Sequence, residues 1–185
     1  TFPESPANLL LIGGGVGIAP LVDTAERAIN AGHHVVAMMG GRTSRHLLAA
    51  SEWPKEVEYI VATEDGSAGA KGFVTQHLGK YQEWANRIYA CGPNPMFQSL
   101  ADVLRNNGRR QSPQILMEEN MPCGWGMCYG CAVFTKHHGV KLCCKATLRL
   151  VSPCSVSSPT RSIPGRMLTT ILTASSSGSP LLAPP

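Results

Sequence analysis

Apolar residues in the first 117 positions fall into short unbroken runs separated by longer mixed segments. Leu9-Leu10-Leu11-Ile12 is four apolar residues with no polar alternation, the pattern of a strand buried on both faces of a sheet. After the glycine-rich stretch that follows, Leu21, Val22, Ala25, Ala28 and Ile29 recur at helical spacing, and Gly32 is a stop signal. His34 to Met39 predicts a second strand, Ser44 to Ala50 a short helix, and Glu58 to Ala62 a third strand. Gly72 to Leu78 opens another helix, and Ile88 to Ala90 is a fourth strand. Phe97, Leu100, Ala101 and Leu104 then mark a helix within 96–107, and Ile115 to Met117 is a fifth strand. Strands alternating with crossover helices predict an α/β domain over residues 1–117 with a parallel five-stranded sheet.

The pattern stops there. Residues 120–144 hold four glycines and five cysteines, too few apolar positions for a core of their own, so metal ligation is the expected way to order them. From 145 to 185, Ser, Thr and Pro fill 20 of 41 positions and acids vanish. That stretch reads as a disordered tail, or as a shifted reading frame beyond about residue 145. The +4 formal charge belongs to it: twelve basic and twelve acidic residues precede position 145, and four basic residues follow. Without a clustered basic face, nucleic-acid binding is not expected. No apolar run approaches the roughly 20 residues of a membrane span, and residues 1–6 lack a signal-peptide pattern, so a cytoplasmic protein is expected. The entry straight into a first strand, without an initiator methionine, further predicts that an N-terminal part is absent.

Six of the seven cysteines lie beyond residue 122, spaced Cys123-x4-Cys128-x2-Cys131 with Cys143 or Cys144 as a fourth. C-x4-C-x2-C is the plant-type spacing for three of the four thiolates of a [2Fe–2S] centre. Gly124, Gly126 and Gly130 let backbone wrap closely around such a group. A zinc knot also uses four thiolates, but usually in two short knuckles rather than three ligands in nine residues. His137 and His138 are expected to be solvated, and Trp125 and Tyr129 to pack around the loop.

Two further signals sit at strand ends. Gly13-Gly14-Gly15-Val16-Gly17 between a strand and a helix can bring backbone N–H groups to a pyrophosphate, with Pro20 tolerated in the first helical turn. Cys91-Gly92-Pro93-Asn94-Pro95-Met96 follows another strand. There Cys91 is either a small buried residue or a thiol beside a reacting nicotinamide or flavin, which Gly92 would let approach.

Together these stretches, with Gly41-Arg42 and the run from Glu118 through Cys131, resemble the electron-transfer subunits of NAD-dependent dihydroorotate dehydrogenases, within the ferredoxin-reductase-like flavoproteins. The resemblance covers about residues 7–145. It implies a ferredoxin-reductase-type nucleotide-binding domain (1–117), a small [2Fe–2S] domain (118–145) and an N-terminal FAD-binding β-barrel missing from this chain. NAD would contact Gly13, Gly14, Gly15, Gly17 and Pro20, with Arg42 towards adenosine and Cys91, Gly92 and Pro93 at the nicotinamide. Glu64 and Asp65 are either solvated or near the nucleotide. Cys123, Cys128, Cys131 and Cys144 would hold the cluster, since the Cys144-Lys145 pair matches the family where the residues after it do not. The implied partner is the flavin-containing catalytic subunit in a hetero-oligomer of pyrimidine biosynthesis, with this fragment inactive alone. The alternatives are a related flavin/iron–sulfur subunit serving ferredoxin, sulfide or glutamate synthase-type partners, and a non-enzymatic zinc module.

Overall fold

A computed structural model describes residues 2–108, 113–117, 119–135, 139–145 and 150–151. His137, His138, Cys154 and nearly all of the expected tail lie outside the described residues.

Strand β1 (Asn8–Gly14) is central because its side chains give water nothing to solvate: Leu9 to Ile12 are fully buried. It pairs in parallel with β2 (His34–Gly41) on one side and β5 (Arg87–Cys91) on the other. Beyond β2 come β3 (Glu58–Thr63) and the two-residue β4 (Ala70–Lys71); beyond β5 comes β6 (Gln114–Leu116). The parallel sheet therefore has six strands in the order β4-β3-β2-β1-β5-β6 rather than five. The addition is β4, two residues inside a polar loop that no periodicity could reveal. Farther along the chain, β9 (Leu150–Val151) adds antiparallel to β6 at the edge.

Alternation along the strands sends side chains to two cores. On one face Leu9, Leu11, Val35, Ala37, Met39 and Tyr89 meet Leu21, Ala25 and Ala28 of helix α1 (Ala19–Asn30). On the other, Leu10, Ile12, Val36, Met38, Ile88 and Ala90 meet Phe97, Leu100 and Leu104 of α3 (Asn94–Asn106), with Leu78 and Ala85 flanking α2 (Gly79–Trp84). Each of these large side chains contributes about 1.5–3 kcal/mol relative to exposure, and their division between two faces makes the sheet doubly wound.

The expected helix over Ser44–Ala50 is instead two single 3₁₀ turns, Ser44–His46 and Ala50–Glu52. Thr43 competes for the backbone there, its Oγ1 accepting from the Arg45 N–H at 3.3 Å. The segment Gly72–Leu78 similarly forms a 3₁₀ turn, Val74–His77, before α2. A separate antiparallel hairpin of β7 (Ala132–Thr135) and β8 (Gly139–Leu142) follows the cysteine-rich loop.

The loops leaving β1 and β5 touch backbone to backbone. A Cβ on Gly17 would lie 2.5 Å from the Cys91 carbonyl carbon and 2.6 Å from the Gly92 nitrogen. Gly17→Ala should therefore destabilise the domain by about 1–3 kcal/mol, because main chain must move to admit the methyl group. Urea unfolding of the variant measures this, and a cost near zero would mean that the two turns separate freely.

Candidate functional site

Because β1, β2, β3 and β5 are parallel, all four end on one edge. Strand order reverses between β1 and β5, so their following turns diverge onto opposite faces and leave a crevice between them. A cleft of about 520 Å³ opens there, within the ~300–1,000 Å³ typical of small-molecule sites. Gly14 and Gly15 form its wall at β1, Gly40, Gly41, Arg42 and His46 at β2, and Glu64 after β3. Gly72 to Thr75 and then Pro93, Pro95, Met96 and Ser99 close the opposite side.

The glycines divide by role. Gly15 has φ +59° and no atom within 4 Å of where a Cβ would stand, so its backbone faces open space. Gly14 opposes Met96, whose sulfur would meet a Cβ at 2.8 Å. Gly13 and Gly17 do not line the cleft: Gly13 backs onto Met39, Leu21 and Ile18, and Gly17 abuts the turn after β5. Pro20 lies in the first turn of α1 and also outside the cleft. Arg42 lines it with an exposed side chain, and Pro93 lines it from the other wall. Cys91 is 1% exposed and packed in the core beneath α1, while Gly92 faces Gly14, whose nitrogen would lie 3.2 Å from its Cβ.

Sequence reasoning did not find His46, Ser99 or the Gly72–Thr75 wall. Gly72 at φ +116° and the buried Thr75 hydroxyl, 2.8 Å from Ser99 Oγ, fix that wall. The signals were a glycine needing a left-handed backbone and two hydroxyls 24 residues apart, and neither has a periodicity. Asp65 turns away from this chemistry. Its carboxylate accepts from the Ser67 N–H at 2.9 Å and the Ser67 hydroxyl at 2.7 Å, bonds that hold it below the usual carboxylate range.

The second assembly is the cysteine loop. Gly124 at φ +66° and Gly126 at +79° curl it, and Tyr129 is held at +57° between Cys128 and Gly130. Backbone donors converge on the sulfurs: Trp125 N–H on Cys123 Sγ, Gly130 N–H on Cys128 Sγ and Cys144 N–H on Cys131 Sγ, each at 3.4 Å. Hydrogen bonding from Cys128 acts on the Cys123 thiol and hydrogen bonding from Cys144 on the Cys131 thiol, each lowering it. Among the described residues no group of three or more His, Cys, Asp or Glu side chains converges as a metal site.

Backbone donors from Cys128 first, then Trp125, bring the Cys123 thiol from 9 to about 6. Cys131 is also lowered, chiefly by the Cys144 N–H. Cys143 is different: burial, then the negative charges of neighbouring thiolates and Glu119, push it up to about 11. Cys144 is raised too, first because it donates to Cys131, but its sulfur also accepts from the Gly126 backbone and so belongs to the loop. Trp125 and Tyr129 do not pack against the loop as expected; they are 76% and 61% exposed, and Met121 and Met127 share that apolar surface. With the interior of the loop taken up by sulfur and main chain, large side chains are turned outwards.

The model of the oxidoreductase NAD-binding domain family matches residues 11–102. The dihydroorotate dehydrogenase B (NAD(+)) electron transfer subunit homolog of Aquifex aeolicus is 40% identical over 138 residues, covering 73% of this chain and 52% of its own length. The corresponding subunit of Desulforamulus reducens is 33% identical over 143 residues, covering 75% of this chain and 53% of its own length. This chain thus spans about half the length of the curated relatives it matches. Among solved structures, the NADH-dependent reduced ferredoxin-NADP oxidoreductase studied for flavin-based electron bifurcation superposes with a TM-score of 0.62. The two are 31% identical, with 74% of this chain and 49% of that one covered.

In metal-free protein, Cys123 should be alkylated by iodoacetamide with a midpoint near pH 6, whereas Cys143 should stay unreactive until far more alkaline pH, because the thiolate is the nucleophile. Peptide-resolved mass spectrometry across a pH series reads both; equal profiles for the two would contradict the loop geometry.

Proposed function

Residues 11–102 belong to the oxidoreductase NAD-binding domain family, and the chain is a homologue of the electron transfer subunits of dihydroorotate dehydrogenase B; from that premise we propose that it carries electrons between a nicotinamide nucleotide and a flavin-containing catalytic subunit. The reading rests on one observation: a cleft at the switch point of a doubly wound sheet shares a chain with a glycine-rich loop in which backbone N–H groups point at the sulfurs of Cys123, Cys128 and Cys131.

The loop's donor set fits a [2Fe–2S] cluster. Such a group takes four protein thiolates, and the C-x4-C-x2-C spacing supplies three of them within nine residues, whereas zinc knots usually draw on two short knuckles. Cys123 with Cys128, and Cys131 with Cys144, would hold the irons; Cys143, whose thiol resists deprotonation, would stay outside. The N–H groups of Trp125, Gly130 and Cys144 would remain aimed at the sulfurs, stabilising negative charge and tuning potential. When bound, FAD would exchange two electrons with the nicotinamide and the cluster would pass them one at a time.

The nucleotide-binding part is assigned to residues 1–117 and the cluster part to 118–145. In the cleft, the open backbone at Gly14 and Gly15 would accept the pyrophosphate, and Gly13 and Gly17 would hold that turn in place from behind. Pro20 would start α1 at the correct angle. Gly92 would give the nicotinamide ring its close approach, with Pro93 beside it and Cys91 supporting it from below. The main flavin contacts would belong to the half of such proteins that this chain does not match. The exposed Met121, Trp125, Met127 and Tyr129 are apolar enough to meet a partner surface.

Dihydroorotate oxidation itself would take place on the partner, in pyrimidine synthesis. Among the described residues no helix is long and apolar enough to cross a membrane. A related flavin/iron–sulfur subunit serving ferredoxin is the second reading, favoured by the 31% identity to the ferredoxin-NADP oxidoreductase.

After anaerobic reconstitution and dithionite reduction, two irons per chain and a spin-one-half resonance are expected; one zinc and no resonance would reject the cluster. Single changes to Ser at Cys123, Cys128, Cys131 or Cys144 should abolish stable incorporation, and Cys143→Ser should not, as read by iron content. Co-purification with a dihydroorotate-oxidising subunit, rather than a ferredoxin-dependent one, separates the two readings.

A further inference from the structure

The glycines of the cysteine loop meet different surroundings. A Cβ on Gly124, at φ +66°, would touch nothing within 4 Å. One on Gly130 would lie 2.9 Å from Pro122 Cδ and 3.0 Å from its Cγ, so that ring lies against the turn whose N–H points at Cys128 Sγ. Gly126, at φ +79°, is covered from farther along the chain. Its Cβ would stand 2.9 Å from both Cγ and Cε of Lys145, and 3.4 Å from Leu142 Cδ1. Two carbons of one lysine at the same distance mean that the aliphatic stem lies along the Gly126 main chain rather than touching it with its tip. Any side chain at Gly126 would displace it.

The turn that carries Lys145 is fixed. Lys145 N–H donates to Leu142 O at 3.0 Å at the end of β8, and Cys143 N–H donates to Cys131 O at 3.1 Å. Cys144 N–H points at Cys131 Sγ, and the Gly126 backbone bonds to Cys144. Contacts at Gly126 therefore join the Cys123–Cys128 half of the loop to the turn bearing Cys144. Lys145 as a whole is exposed, as a long amphipathic side chain is when its methylenes lie on protein and its ammonium stays in water. The ion pairs among the described residues, Arg27 with Asp23 and Arg105 with Asp102, do not include it, so contact with the loop is what orders the stem.

We propose that the Lys145 side chain is a strap that holds the Cys123–Cys128 half of the loop against the Cys144 turn, through its methylenes rather than its charge. It is a positioning residue, acting through Gly126, and it sets how readily a cluster held by these thiols is lost to solvent. The proposal rests on reading the loop as a [2Fe–2S] site.

The test compares the full chain, Lys145→Ala and Lys145→Met after anaerobic reconstitution, following the loss of visible absorbance on addition of the chelator EDTA. Lys145→Ala should bleach at least about fourfold faster than the unmodified chain, the factor that removing about one methylene from contact corresponds to. Lys145→Met, which keeps an unbranched stem without the charge, should stay within about twofold of the unmodified rate. Equal rates for Lys145→Ala and the unmodified chain overturn the strap. Loss from Lys145→Met as fast as from Lys145→Ala overturns the role of the methylenes and assigns the effect to the ammonium. Urea unfolding of the three metal-free chains should share one midpoint; a lower midpoint in Lys145→Ala would make Lys145 a residue of the fold and overturn its role at the loop. Failure of the unmodified chain to take up iron removes the cluster reading, and the proposal with it.

Discussion

The contact between Gly17 and the Cys91–Gly92 peptide is the constraint on which the cleft depends. Strand order reverses at β1 and β5, so the turns leaving these strands must cross at the same sheet edge while sending their helices to opposite faces. They can do so only where main chain meets main chain, and a single Cβ at Gly17 would prevent it. Once the turns are pinned, Gly14 and Gly15 are presented on one wall, and Gly92, Pro93 and Met96 on the other. The crevice is a consequence of topology, and its narrowness follows from glycine.

The cysteine loop solves a different problem with the same residue type. It has no apolar interior, and its order comes from backbone N–H groups directed at sulfur. That arrangement also separates neighbouring cysteines that differ little in sequence. Hydrogen bonding with Cys131 raises Cys144 while the Gly126 backbone lowers it, whereas burial and neighbouring negative charge both push Cys143 up. Trp125, Met127 and Tyr129 stand exposed on that same loop.

The two assemblies differ in how charge is handled. At the loop, neutral N–H dipoles stabilise developing negative charge on the thiolates without a cation. At the cleft, Arg42 and Glu64 place charged side chains on the wall at the ends of β2 and β3, whereas Gly14 and Gly15 present uncharged backbone at the end of β1.

Much of this was written in the sequence. Unbroken apolar runs such as Leu9–Ile12 identified the parallel sheet because a strand buried on both faces has no polar side to display, and the helical spacing of Leu21, Ala25 and Ala28 identified the helix covering it. The cysteine spacing marked out the loop because C-x4-C-x2-C places three thiols within nine residues. Tertiary structure decided what depended on residues far apart. It separated Gly13 and Gly17, which face protein, from Gly14 and Gly15, which face the cleft, although all four lie in one motif. It brought His46, Ser99 and the Gly72–Thr75 segment to the same cavity and added β4 to the sheet.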